Sequence, residues 1–378
     1  MKKFFLIVCS VFLFFGCKKT KSVFSGHVLD VVQLLSEKIE VPMSKLSNSM
    51  EYVLLETNDS VLLHQNAHVF YSDDSDILIR SKQFILHFNS KGDFLNRIGK
   101  IGNGPHEYNV IYNVSVDATH KLLFLYVGQK KIYIMSYDGN LQHELNLQTN
   151  EDVTAAYWVN ENLIMAETRA YSDAGLKVGL SFFDMQGMCV TKDVVVFTDN
   201  LHTERHMHTM PMMYAFHNKA KYMGTYSNIL YEFQNKTIKD SIIFDFGPYQ
   251  PDRDHIENMN KREELLKNYA SLVDIQENSE TMYLLIIFRK KLKGIVVDKS
   301  NGKVLFSSYI DMPQRGGGIK NDYLYNCNFW PTYMDDKALY CLLSPEILKE
   351  SMFVPDSIRE HVDDDDNPVL LKLLLSSK

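Results

Sequence analysis

FILHFNSKGDFLNRI, residues 84–98, reads as a strand ending on an aromatic residue, a tight polar turn, and a second strand. The pattern returns as IYIMSYDGNLQHELNL (132–147), GLSFFDMQGMCVTKDVVV (179–196), ILYEFQNKTIKDSIIF (229–244) and KGIVVDKSNGKVLFSSYI (293–310). The turn residues are Gly92, Gly139, Gly187, Asn235 and Gly302, separated by 47, 48, 48 and then 67 residues. Glycine and asparagine tolerate positive φ, so each turn suits a tight hairpin. The longer last interval holds a charged, helix-like insertion, DRDHIENMNKREELLKNYASL (252–272).

Each period contains more strands than the quoted pair. NVSVDA, KLLFLYVG, KIYIMSY and NLQHELNL follow one another between residues 113 and 147. Four short strands in a repeat of 40 to 50 residues are the signature of a β-propeller blade. Five such units fall near 68–98, 113–147, 155–198, 213–246 and 273–311. A sixth needs pieces from both ends of the chain: CNFWPTYM (327–334), ALYCLLS (338–344), NPVLLKLLL (367–375) and MEYVLLET (50–57). Joining the termini in one blade closes the ring and removes an open sheet edge. The expected fold is therefore all-β: a six-bladed propeller of four-stranded blades over residues 46–378. Its ring is closed by an N-terminal strand, with short helical insertions near 252–272 and 345–361.

The N-terminus is of a different kind. Lys2 and Lys3 precede a largely apolar run, Phe4 to Phe15, too short to span a bilayer but right for a signal-peptide core. The run ends at Gly16-Cys17, which resembles a bacterial lipoprotein signal whose processing leaves a lipidated cysteine at the new N-terminus. Residues 1–16 are then the leader, Cys17 the lipid attachment, and 17–45 an anchor and tether. Acyl chains add about 0.8 kcal/mol per buried CH₂, so a multiply acylated Cys17 would hold the domain on a membrane. The formal charge is −7, and removal of Lys2 and Lys3 takes it to −9. With no basic stripe, a nucleic-acid partner is not expected. Cys189, Cys327 and Cys341 are too sparse for a disulfide framework, although Cys327 and Cys341 would meet if their strands were neighbours.

MEYVLLETNDSVL (50–62), FNSKGDFLNRIGKIGNGPHEY (88–108) and DNPVLLKLLL (366–375) resemble the six-bladed β-propeller lipoproteins of Bacteroidetes, which are similar to NHL-repeat propellers. The resemblance covers essentially the whole mature chain and implies no general enzymatic activity. His106 stands where that family's Gly-Pro-Gly-Glu-Tyr loop has its second glycine.

The same loop raises the question of a phosphate site. Its glycines run Gly99, Gly102 and Gly104, then Pro105 and a strand. A dinucleotide fingerprint or a P-loop needs other spacing and a helix next, so neither nucleotide nor any other cofactor is expected. The glycines and Pro105 read as a structural turn between blades. Glu107 and Tyr108 would bond back to loop amides or face a ligand.

LHTERHMHTMP (201–211) is the most site-like cluster, with His202, Glu204, His206 and His208 as candidate ligand-binding residues. His206 and His208 share one side of an extended segment, whereas His202 and His206 share one face of a helix. The two geometries compete, so a metal held by His202, His206 and His208 is not the expected outcome. VDDDDNP (362–368) lacks the alternation of a calcium loop and reads as a solvated turn. The aromatics of FWPTYM (329–334) suit sugar stacking or, more simply, blade core.

Long excursions at 98–112, 199–212, 247–272, 312–325 and 344–366 all fall on connections that emerge on one face of the disc. Long loops mark functional surfaces. The expected function is a lipid-anchored envelope module binding a glycan or an envelope protein through that face. The alternative is a propeller hydrolase or lyase acting on glycans or peptides there. KKTKS after Cys17 lacks the acidic run of a surface-export signal, so an outer-membrane, periplasm-facing placement is expected.

Overall fold

The computed structural model describes residues 24–25, 27–47, 49–172, 175–199, 211–217, 219–224, 227–252, 255, 259–310, 318–322, 328–349 and 354–375. Six four-stranded antiparallel blades form a ring. From the innermost strand outward, blade one is His68–Ser72, Asp76–Ser81, Phe84–Asn89 and Phe94–Ile98. Blade two is Asn113–Asp117, Leu122–Gly128, Lys131–Ser136 and Leu141–Asn146; blade three is Asp152–Asn160, Leu163–Ser172, Gly175–Phe183 and Cys189–Asp199. Blade four is Met212–Phe216, Lys219–Met223, Ile229–Gln234 and Thr237–Asp245; blade five is Ala270–Glu277, Thr281–Phe288, Lys291–Asp298 and Val304–Ile310. Blade six combines Tyr333–Met334, Ala338–Leu343 and Val369–Leu374 with the N-terminal Ser49–Val53, paired antiparallel so that Leu370 faces Val53 and Leu374 faces Ser49.

Strand periodicity explains the ring. Alternate residues of a strand point to opposite faces of the sheet, and here both faces are buried. In blade one Ile77 and Ile79 pack on blade six, while Leu78 between them packs on blade two. In blade two Leu123 and Leu125 face blade one, and Phe124 and Tyr126 face blade three. In blade five Leu284 and Ile286 turn to blade four, and Tyr283 and Leu285 to blade six. Six apolar clusters result, one in each interface, rather than a single core.

The outer turns carry a second interlock. Gly92, Gly139, Gly187, Asn235 and Gly302 all have positive φ. At Gly92 and Gly187 a Cβ would also overlap a backbone carbonyl of the preceding blade, that of Leu54 or Asn146. Both turns accept a hydrogen bond from the same neighbouring segment: Glu56 N–H donates to Gly92 O (2.8 Å) and Gln148 N–H to Gly187 O (2.7 Å).

Residues 28–45, within the stretch expected to be a tether, pack along the rim of the disc. Val28–Asp30 adds in parallel to Thr237–Asp245, the outer edge of blade four. Asp30 caps the helix Val31–Ser36 by accepting from Gln33 N–H at 2.8 Å. Val31, Leu34 and Leu35 enter the cluster between blades four and five. The helix C-terminus is held by Lys293, whose ammonium donates to Leu35 O (2.7 Å) and Glu37 O (2.8 Å). Met43 then fills the cluster between blades five and six. The insertions are short helices, Arg262–Asn268, Pro345–Lys349 and Asp356–Arg359. Cys341 is buried between blades five and six, and Cys327 lies outside the described residues.

Asn367, of the terminal Asn-Pro-Val-Leu run, locks the closure. Its side chain accepts from Leu63 N–H (2.7 Å) and donates to Glu56 O (2.8 Å) and Val61 O (2.6 Å), all in the connection from blade six to blade one. Asn367→Ala would leave three such groups without their partner, and should lower unfolding free energy by about 3 kcal/mol. Urea unfolding followed by circular dichroism should show this as a lower midpoint.

Glu151, on the linker between blades two and three, accepts from Lys192 (2.9 Å) and Lys177 (3.1 Å). Burial opposes its ionisation, but the two ammonium groups and the Thr168 hydroxyl outweigh it and hold the carboxyl at about 2, against an ordinary 4.5. A depressed folded value stabilises the protein fully above the ordinary value, and that stabilisation is lost as pH falls toward 2. Glu151→Gln should therefore lower the thermal midpoint at pH 7. The gap from wild type should close as pH is taken from about 4.5 to 2 in a calorimetric series.

Candidate ligand site in the central channel

Each innermost strand descends from the long-loop face to the tight-turn face, and its axis-facing side chains line the channel. They enclose a cavity of about 560 Å³ to which all six blades contribute: His68 and Phe70, Asn113, Tyr157, Tyr214, Asp274 and Tyr333. The size suits a small organic ligand.

The tyrosines bind blades to one another as well as lining the wall. Tyr157 Oη accepts from Ala215 N–H (3.3 Å), and Tyr214 Oη–H donates to Glu277 (2.7 Å). The Tyr71 and Tyr333 rings lie 6.1 Å apart across the interface of blades one and six. Burial pushes the Tyr157 hydroxyl up to about 12 and Tyr333 higher still, so both stay neutral donors and acceptors at physiological pH. Burial also raises the Asp274 carboxyl, although the Gln276 amide donates to it at 3.2 Å. His68 is shifted down by burial and so favours its neutral form.

At the tight-turn end, turns from three blades are tied together. His217 Nε2 lies 2.7 Å from Asp336, Ser279 N–H donates to Asp336 (2.7 Å), and Ser279 Oγ is 3.4 Å from His217 Nε2. The residue types match a catalytic triad, but the geometry does not. Ser279 and Asp336 approach the same ring nitrogen, so no proton can pass through the imidazole from one to the other. The cluster fastens blades four, five and six.

The glycine loop is bonded within itself and to the two blades it joins. Glu107 accepts from Gly104 N–H (2.9 Å), and a Cβ on Gly102 would overlap that carboxylate. Gly102 N–H donates to Tyr108 O and Tyr108 N–H to Lys100 O, at 3.1 and 3.0 Å. Tyr108 is buried, its hydroxyl directed at Gln83 O and Ile98 O (3.3 and 3.4 Å). Gly99 has a φ of 83°, Pro105 is exposed, and the strand Asn113–Asp117 follows. His106 holds a φ of 62°, the backbone conformation for which a glycine is usual. Glu107 and Tyr108 do not line the central cavity.

Cys17, His202, Glu204, His206 and His208 lie outside the described residues. The aromatics of 329–334 divide: Phe329 and Trp330 are buried between blades five and six, whereas Tyr333 lines the channel. Asp363 to Asp366 form a surface turn in which Asp366 accepts from Asp363 N–H and Asp364 pairs with Lys349. The channel residues carry no linear motif; their one sequence signal is the run of polar and aromatic residues on strands that open a repeat.

The fold and its lined channel define a six-bladed β-propeller with an axial cavity. Residues 27–373 match the family described as a domain of unknown function, DUF4934, and the chain belongs to that family. No curated protein matches the sequence. Among solved structures it is similar to a Bacteroides fragilis protein inferred to be exported, at 16% identity and a TM-score of 0.66, covering 93% of this chain and 99% of that one. It is also similar to a DUF4221-family member from Bacteroides vulgatus, at 9% identity and a TM-score of 0.50, covering 87% and 97%. These likenesses show the fold. Among the described residues, no helix is long and apolar enough to cross a membrane.

Because Glu107 serves its own loop, Glu107→Ala should lower stability by about 1 kcal/mol. It should leave binding of any channel ligand unchanged, which thermal melts with and without that ligand will measure.

Proposed function

We propose that the protein is a lipid-anchored propeller of the bacterial cell envelope that binds a small polar ligand in its central channel, approached from the long-loop face. The observation that carries this reading is the cavity itself, walled by tyrosines, two histidines and four carboxyls, with residues drawn from six blades. Tyrosine rings with hydroxyls at their tips suit a glycan, which presents apolar faces and hydroxyl edges together. Envelope placement rests on the leader and Cys17 in the sequence and accords with the Bacteroides fragilis neighbour inferred to be exported. Acylated Cys17 would anchor it to the outer membrane, facing the periplasm.

A propeller hydrolase or lyase is the second reading. His68 and Asp274 favour it, since burial moves each toward its neutral form within one cavity. Two experiments test these statements. On fractionation, the wild type should sediment with membranes and Cys17→Ala should not; a soluble wild type overturns the anchor. Screening envelope glycans and peptides by calorimetry should find a ligand whose affinity falls about tenfold in Tyr157→Ala. Turnover of that ligand would select the enzyme, and a ligand insensitive to Tyr157 would move the site away from the channel.

A further inference from the structure

We infer that the channel is built for an organic cation, a ligand carrying an amine or ammonium group, with Asp274 as its counter-ion. This rests on the channel being the ligand site and names the chemistry it selects.

The cavity wall holds four carboxyls, and three are satisfied by the protein. Glu277 lies 2.6 Å from Lys299 and 3.3 Å from Lys221. Asp336 is paired with His217. Asp335 accepts from Lys337 N–H and Ala338 N–H at 2.8 and 2.7 Å, and Tyr340 Oη is 3.3 Å away. Asp274 differs. Its side-chain partner is the neutral Gln276 amide, and among the described residues no lysine, arginine or histidine forms an ion pair with it. Asp274 is half-buried, and even partial withdrawal of a carboxylate from water without a cation is costly, which is why burial raises this group. A bound cation would supply the missing charge.

The surroundings suit the same ligand. Tyr157, Tyr214 and Tyr333 stand on blades three, four and six around the channel that Asp274 enters from blade five. Ring faces attract cations through their quadrupole. The protein already uses such contacts, with Lys299 over Phe216 at the tight-turn end of the cavity (4.6 Å) and Lys372 over Tyr340 (6.0 Å). Among the described residues no lysine or arginine occupies the faces of Tyr157, Tyr214 or Tyr333. The two histidines of the wall do not offset Asp274: His217 is engaged with Asp336, and burial disfavours the charged form of His68. With a neutral ligand the carboxyl would be compensated only by taking up a proton, whereas a cation would stabilise its charged form.

The test compares matched probes on the wild-type protein by calorimetry: glucosamine against glucose and N-acetylglucosamine, and benzylamine against benzyl alcohol. The amines should bind about tenfold more tightly than their neutral counterparts. Asp274→Asn should abolish that preference and leave the neutral affinities in place. Equal binding of amine and neutral probes overturns the inference, as does an Asp274→Asn protein that keeps the preference. The wild-type comparison decides even if the variant fails to fold. Neutral sugars that bind in a Tyr157-dependent way without amine preference would leave the channel as the site and remove only its cation chemistry. No binding by any probe would count against both.

Discussion

A four-stranded sheet apolar on both faces cannot exist alone in water, and everything in this protein follows from that. Ile77 and Ile79 need one neighbour and Leu78 needs the other, so each blade requires two partners. A finite row of such sheets would leave an apolar face bare at each end. Only a closed ring satisfies every blade, and here closure comes when the stack reaches six. The cohesive energy is spread over six interfaces rather than held in one centre.

Closure makes the chain ends structural. Ser49–Val53 completes blade six, and Asn367 bonds three groups of the connection that follows it. Upstream, the chain adds a strand to blade four, places a helix over the junction with blade five, and buries Met43 beside blade six. Blades four to six are thus held at the rim by this strap and at the tight-turn end by His217, Ser279 and Asp336. An axial cavity can exist because the blades gain little by collapsing on the axis; their apolar area is already buried laterally. Axis-facing positions are left free for tyrosines, a histidine and carboxyls.

The glycine-rich stretches of the sequence take up positions in turns and loops between blades. Gly99, Gly102 and Gly104 make room for Glu107 and Tyr108 in a loop bonded within itself and to its flanking blades. Gly92 and Gly187 allow a turn to touch the preceding blade. The channel, by contrast, was illegible. Tyr157, Tyr214, Asp274 and Tyr333 are far apart in the chain, and each sits among residues like those of any half-buried strand. Even FWPTYM divided between core and cavity according to the neighbour each ring met.

By itself the sequence determined the blade count, the hairpin positions and the closure through the terminal strand. These depend on local rules: period-two apolar patterning, and turns that need positive φ at a glycine or asparagine. Tertiary structure alone decided that residues 28–45 belong to the folded rim, because parallel pairing to residues 243–245 joins segments more than two hundred residues apart. It also decided which side chains face the axis. That choice is made by the twist and stacking of six separate strands, and no local pattern carries it.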